Sequence, residues 1–313
     1  VSDDNPPRLD DHLLDGLRVE PGSVVDLGDR PTKGSLGDVI DELPKAERKA
    51  AAKGLLDGLK DELSESQELL YADDRHSILV VMQAMDAGGK DGTIRHVMSG
   101  VNPAGVEVVS YKRPSAEELD HSFLWRHQKD APARGRIGIF NRSHYEEVLV
   151  ARVHPEVVGN QRIPEADPSH ESFWAARYRD INMWEQHLAS NGTRVVKLFL
   201  HLSKEEQRQR FLARLELPEK LWKFEPADLA ERAHWDDYQE AFAEMLEATS
   251  TEAAPWYVIP ADRKYAMRVL VAAILVRTIT GLDLQYPEVG PEDEAAYAEM
   301  LAQLQAEAPP DDA

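Results

Sequence analysis

The sequence contains no cysteine, no apolar run long enough to cross a bilayer and too few basic residues to balance its acids. Each absence removes a class of function. Without cysteine there are no disulfides, no thiolate nucleophile and no Cys-ligated zinc, which fits a reducing compartment. No stretch approaches the ~20 apolar residues of a membrane helix. The N-terminus carries no signal-like apolar region. A soluble, cytoplasmic chain with no membrane partner is therefore expected. Lys and Arg number 36 against 57 Asp and Glu, a formal charge of −21. A nucleic-acid coat protein would show the opposite balance, so no nucleic-acid partner is expected. Any polyanion must be held by a local basic site working against the field of the whole molecule.

What is present is core-forming material: 42% of the 313 residues are hydrophobic. Part of the acidity sits at the ends. Residues 1–16 hold Asp3, Asp4, Asp10, Asp11 and Asp15 against Arg8, and 285–313 has eight acids and no base, closing on Asp311 and Asp312. Both ends read as solvated tails. Residues 44–70 alternate charged and apolar residues at helical spacing behind Pro44, as one long helix or a hairpin. Short apolar runs follow at 77–82, 106–111, 137–140, 195–202 and 256–259. Helical stretches separate them at 93–99, 117–129, 171–189, 204–216, 236–249 and 263–279. Strands alternating with helices, most of them apolar throughout, predict an open α/β sandwich with about five parallel strands.

The first strand runs into Ala84-Met85-Asp86-Ala87-Gly88-Gly89-Lys90-Asp91-Gly92-Thr93, and a helix follows. Strand, Gly-rich turn, lysine and helix together make an anion cradle of backbone N–H groups with an added point charge. The pattern G-x-x-x-x-G-K-[ST] is broken at both ends, by Ala84 and by Asp91. A carboxylate inside such a loop, Asp86, would repel phosphate unless a magnesium ion lay between them. Near the third strand's end come Asn141, Arg142, Ser143, His144, Tyr145, Glu146 and Glu147. Asn141 stands where phosphate-loop enzymes place a carboxylate near the metal, and Arg142 is suited to transferred phosphoryl oxygens. Glu146 is a candidate for a metal or acceptor role, and His144 reads as a hydrogen-bonding or packing residue.

The segments 85–93, 111–154, 201–238 and 255–268 together resemble the type-2 polyphosphate kinases, over roughly residues 35–285. The resemblance implies a thymidylate-kinase-like P-loop core, a three-layer α/β sandwich with a helical lid and an N-terminal helical extension. It also implies magnesium-dependent, reversible phosphoryl transfer between inorganic polyphosphate and nucleotides, with manganese as a substitute metal. AMP, and also ADP, are the expected acceptors, with other nucleotides as further candidates, and a homo-oligomer is expected. Three regions follow: an acidic extension at 1–43, a core at 44–284 with its lid at about 208–226, and an acidic helix or tail at 285–313.

Carried over by position, the catalytic set is Asp86, Lys90, Asn141 and Arg142. Asp86, Asn141 and Glu146 are the metal candidates, and Arg142 and Glu146 face the nucleotide. Phosphate contacts are expected from Gly88, Gly89, Lys90, Asp91, Gly92 and Thr93, and from Arg126, Arg177, Arg208, Arg214, Lys220 and Lys223. The residues alone agree in part, since 208–223 holds five basic residues against Glu216 and Glu219 in an acidic protein. Pro218 and Pro226 bracket the basic turn as a mobile cap would require. Trp222 and Trp235 read as packing residues. Two other readings remain at this point: an ATP-dependent nucleoside monophosphate kinase, and a non-catalytic polyphosphate or nucleotide sensor.

Overall fold

The five apolar runs become five strands: β1 (Ser77–Gln83), β2 (Val106–Ser110), β3 (Ile137–Asn141), β4 (Thr193–His201) and β5 (Trp256–Pro260). They form one sheet in the order β2-β3-β1-β4-β5, and every neighbouring pair is parallel. This is the α/β sandwich expected from the sequence. The structure is a computed structural model describing residues 9–307, apart from the side chains of Val39, Lys223 and Glu292. Asp3, Asp4, Arg8, Asp311, Asp312 and the Lys223 side chain thus lie outside the described residues.

The longer helices are α1 (Lys45–Asp73), α2 (Lys90–Val97), α3 (Glu171–Ser190), α4 (Lys204–Glu216), α5 (Pro226–Ala233), α6 (Trp235–Thr249), α7 (Lys264–Thr280) and α8 (Pro291–Ala306). Helix α7 packs against α1 and α2, while α6 packs against α3. From β1 the chain crosses toward the β2 edge, and from β3 it crosses back over β1 to β4. With right-handed crossovers, that reversal places α2 on one face of the sheet and α3 on the other. It also opens a crevice beyond the carboxyl ends of β1 and β3, the position at which doubly wound sheets bind ligands.

Strands β1, β3 and β5 are buried along their whole length, which is why their sequences are apolar without alternation. Edge strand β2 is half-exposed. The stretch expected as a helix over 117–129 is instead two short helices, Ala116–Leu119 and Trp125–Lys129. Ser115 caps the first through a reciprocal capping box with Glu118.

The solvated N-terminal tail is corrected from residue 9 onward. Leu14, Leu17, Val19, Val25, Leu27 and Leu36 are buried in the main core. Val19 donates its N–H to the Trp256 carbonyl (2.9 Å), and the Val258 N–H reaches the Leu17 carbonyl (2.8 Å). The segment therefore covers the free edge of β5 as a short antiparallel partner, which an exposed strand edge requires. Its acids pair rather than float: Arg277 lies 2.7 Å from Asp15 and 3.8 Å from Asp11. At the other end, none of the described residues of α8 is buried. No helix of the described residues is long and apolar enough to cross a membrane.

Candidate active site

The chain leaving β1 turns sharply over Ala84–Gly89. Ala87 has φ +59° and Gly89 φ +103°. At Gly88 a Cβ would lie 2.4 Å from the Ala84 Cβ and 2.8 Å from the Met85 carbonyl, so only glycine fits. Lys90 folds back and donates from Nζ to the Ala84 carbonyl (3.0 Å). Gly88 N–H bonds to the Met85 carbonyl (3.0 Å). Among the described residues no protein acceptor takes the N–H groups of Ala87, Gly89, Lys90, Asp91 or Gly92. Five unpaired amides at the start of an eight-residue helix, with a lysine across them, make an anion cradle. Burial, and then the charge of Arg142, push the Lys90 ammonium below its ordinary pKa of 10.5.

The end of β3 faces this loop. Asn141 is in register with Met82, and the Arg142 N–H extends the ladder to the Met82 carbonyl (3.2 Å). Arg142 then takes φ +63°, a conformation that a non-glycine residue adopts at a cost. The turn swings its guanidinium between two carboxylates, 3.0 Å from Asp86 and 3.5 Å from Glu146. Glu146 first, and then Asp86, hold the guanidinium above its ordinary pKa in spite of burial. The Asn141 Nδ2 donates to Asp91 (2.5 Å), which ties the start of α2 to the end of β3.

Behind the turn lies a fully buried polar cluster. Lys197 Nζ is 2.6 Å from Glu185 and 2.8 Å from the Tyr145 hydroxyl, and His144 Nε2 is 3.2 Å from Glu185. His144 thus bonds within the interior and faces no substrate.

Two sequence assignments are corrected here. Thr93 is fully buried, and both its N–H (2.9 Å) and its hydroxyl (3.0 Å) go to the Gly89 carbonyl, so it does not reach the cradle. Arg177, 3% exposed, pairs with Glu147 (3.0 Å), bonds to Gln161 and lies over the rings of Phe123 and Phe173. Its charge is already neutralised in the interior and is not offered to an anion. Trp222 also departs from expectation. It is 77% exposed on the lid, whereas Trp235 is buried.

The segment expected as the lid, about 208–226, falls on the outer part of α4, a 3₁₀ turn at Pro218–Lys223 and the start of α5. Arg208 is exposed and pairs with Glu205 (2.7 Å), Arg214 lies 3.5 Å from Asp228, and Lys220 is exposed. Arg126 is buried near the end of β2 and donates to the Lys112 carbonyl (2.9 Å). Sequence reasoning missed three cations grouped around Arg210, which grips the loop: Lys264 and Arg268 on α7, and Arg95 on α2 next to Arg268. Burial, and then Arg210, Arg268 and Lys220, push the Lys264 ammonium down. Burial, Arg95 and Arg210 act on Arg268 in the same direction. The Arg268 Nε is buried without a hydrogen-bond partner. Cations crowded together in a protein of charge −21 are what a polyanion site requires. No local pattern links Lys264 and Arg268 to the loop, which they approach only through the packing of α7 against α2.

Among the described residues no three His, Asp or Glu side chains converge as a self-sufficient metal site. Asp86 and Glu146 on either side of Arg142, with the Asn141 Oδ1 lacking a protein partner, make a sparse oxygen donor set. That set suits magnesium, which keeps several waters and takes one or two carboxylates together with substrate phosphates.

The family model described as Polyphosphate kinase 2 (PPK2) matches residues 46–287. The chain belongs to the polyphosphate kinase 2 family. Within it, the ADP-polyphosphate phosphotransferase of Rhodopseudomonas palustris is 51% identical over 288 residues, covering 92% of this chain and 97% of the relative. The AMP/ADP-polyphosphate phosphotransferase of Meiothermus ruber is 50% identical over 240 residues, covering 77% and 85%. The crystal structure of polyphosphate kinase 2 from Arthrobacter aurescens TC1 superposes with a TM-score of 0.79 at 38% identity, covering 93% of this chain and 96% of that one.

Proposed function

We infer that this polyphosphate kinase 2 family member transfers phosphoryl groups reversibly between inorganic polyphosphate and adenine nucleotides, converting AMP to ADP and ADP to ATP. One observation carries the reading. A loop of unpaired amides, closed by Lys90, lies against Arg142 and beside the cations of α2, α7 and the lid in a strongly acidic protein.

The accepting oxygen belongs to a nucleotide phosphate whose second pKa is about 6, so it is ionised at neutral pH without a general base. This fits a site in which His144, two residues after Arg142, is buried against Glu185, and His96 bonds to the Gly92 carbonyl. Catalysis then consists of positioning and charge neutralisation. The loop amides and Lys90 hold the transferred group. Arg142, oriented by Asp86 and Glu146, neutralises its equatorial oxygens. Lys264, Arg268, Arg95 and the lid cations hold the rest of the donor chain. Asp86, with Asn141 and Glu146, would hold magnesium, which would supply positive charge to the phosphate oxygens. One phosphoanhydride is exchanged for another, so concentrations set the direction.

The test is turnover by the purified protein with magnesium and long-chain polyphosphate. AMP and ADP are offered separately, with ATP plus AMP as the control. Nucleotide phosphorylated only when polyphosphate is present is the expected result. Product formed only with ATP as donor would overturn the reading.

A further inference from the structure

The unpaired amides of the loop are aimed by something, and the structure shows what. Every peptide bond in the described chain is trans, so within one peptide plane the C=O and the following N–H point in opposite directions. Whatever grips a loop carbonyl therefore fixes the direction of the next amide. Helix α4 supplies the grip. Gln207 Nε2 donates to the Asp86 carbonyl (3.0 Å), and Arg210 donates from one terminal nitrogen to the carbonyls of Ala87 and Gly88 (both 2.9 Å). The peptide gripped at Asp86 carries the Ala87 N–H, and the peptide gripped at Gly88 carries the Gly89 N–H. Both of these amides lack a protein acceptor.

The two side chains are themselves rigidly placed. Gln207 is fully buried and Arg210 is 7% exposed. Arg210 also donates to Glu206 (2.8 Å) and to the Ala261 carbonyl beyond β5 (2.5 Å). Its bonds point to the loop, Glu206 and Ala261, although it lies in the same basic stretch as Arg208 and Arg214. Gln207 has one further partner. Its Oε1 accepts from Arg232 (2.6 Å), a residue of the returning lid helix α5, which also bonds to the Lys204 carbonyl (2.8 Å). A continuous hydrogen-bonded path thus runs from α5 through Arg232 and Gln207 to the peptide of Asp86, whose own carboxylate holds Arg142.

We propose that Gln207 and Arg210 are positioning residues for phosphoryl transfer: they aim the Ala87 and Gly89 amides at the bound phosphate chain, and Gln207 passes the position of the lid, through Arg232, to the loop. The proposal rests on the phosphotransferase reading above for what the loop binds, but the clamp can be tested apart from turnover. The readouts are hydrogen exchange of the 84–92 amides in the full-length protein saturated with inorganic tripolyphosphate, whose oxygens would supply the acceptors these amides lack in the protein, and calorimetric binding of the same anion.

Arg210→Met and Gln207→Leu should each speed exchange of the loop amides about tenfold or more and weaken tripolyphosphate binding by a similar factor, while the exchange of β1 and β4 stays unchanged. Arg210→Lys, which keeps a donor, should recover part of both. Arg232→Gln does not touch the loop, so it keeps the proposal falsifiable if the buried variants fold poorly. It should still speed loop exchange several-fold and raise the KM for polyphosphate more than it lowers kcat. Loop exchange unaltered in Arg232→Gln would overturn the lid linkage. Loss of protection spread evenly over the sheet in Arg210→Met and Gln207→Leu would reduce both residues to structural supports and overturn the proposal. Altered loop exchange and binding, in a protein whose unsubstituted form never phosphorylates a nucleotide from polyphosphate, would leave the clamp standing and remove the function.

Discussion

At Lys90 the surroundings set the pH range over which the cradle is charged. Burial and Arg142 both favour the neutral amine, so the proton leaves at a lower pH than from a free lysine. The alkaline limb of kcat/KM for polyphosphate should therefore fall below pH 10.5. Lys90→Arg, whose guanidinium stays charged, should carry that limb upward, whereas an unmoved limb would assign it to another group. Arg177 gives a second residue-level test because its two roles predict opposite results. As a phosphate contact, its loss would raise the KM for polyphosphate. As the buried partner of Glu147, its loss leaves an uncompensated carboxylate, so Arg177→Met should cost about 3 kcal/mol of stability and leave that KM nearly unchanged. Chemical denaturation alongside initial rates separates the two.

At the scale of elements, the N-terminal segment is the part least like its sequence. If residues 9–36 belong to the core, Leu14→Ala should destabilise the whole protein by about 2–3 kcal/mol in a single transition. A surface tail would give no measurable change. The strands were legible because burial on both faces writes a parallel strand as an unbroken apolar run, as in Ser77–Gln83 and Trp256–Pro260. The N-terminal segment was not legible, because Asp10, Asp11 and Asp15 crowd the first apolar anchors, and Leu14, Leu17, Val19, Val25, Leu27 and Leu36 are spaced too irregularly for either period. At the site, Lys90 and Arg142 could be named from local sequence because one starts the helix after a Gly-rich turn and the other directly follows a strand. Lys264 and Arg268 could not, since their relation to the cradle exists only once α7 packs against α2. Thr93 and Arg177 were misread for one reason: sequence records that a donor is present and does not record that a neighbour has already taken it.

For the whole molecule, three buried histidines set the response to acid. Burial holds His127 well below its ordinary value and lowers His144 and His201 as well. Their folded pKa values lie under the unfolded value of about 6.5, so the folded state binds fewer protons once the pH drops past that point. Their contribution to stability is complete above about pH 6.5 and is lost as the pH falls toward the folded values. The Tm should accordingly decline between about pH 6.5 and 5, where ordinary carboxylates, with pKa near 4, remain ionised. A flat Tm across that window would show that these rings accept protons without disturbing the fold.

The exposed Trp222 has an optical consequence. Of the six tryptophans, Trp174, Trp184, Trp235 and Trp256 are buried and Trp125 is half-buried, whereas Trp222 stands in water on the lid. The chain thus carries its own fluorophore on the part expected to move, and its red-shifted, iodide-quenchable emission should isolate that one indole from the rest. Addition of tripolyphosphate should turn this emission blue and shield it from the quencher, giving a stopped-flow record of closure from the unlabelled protein.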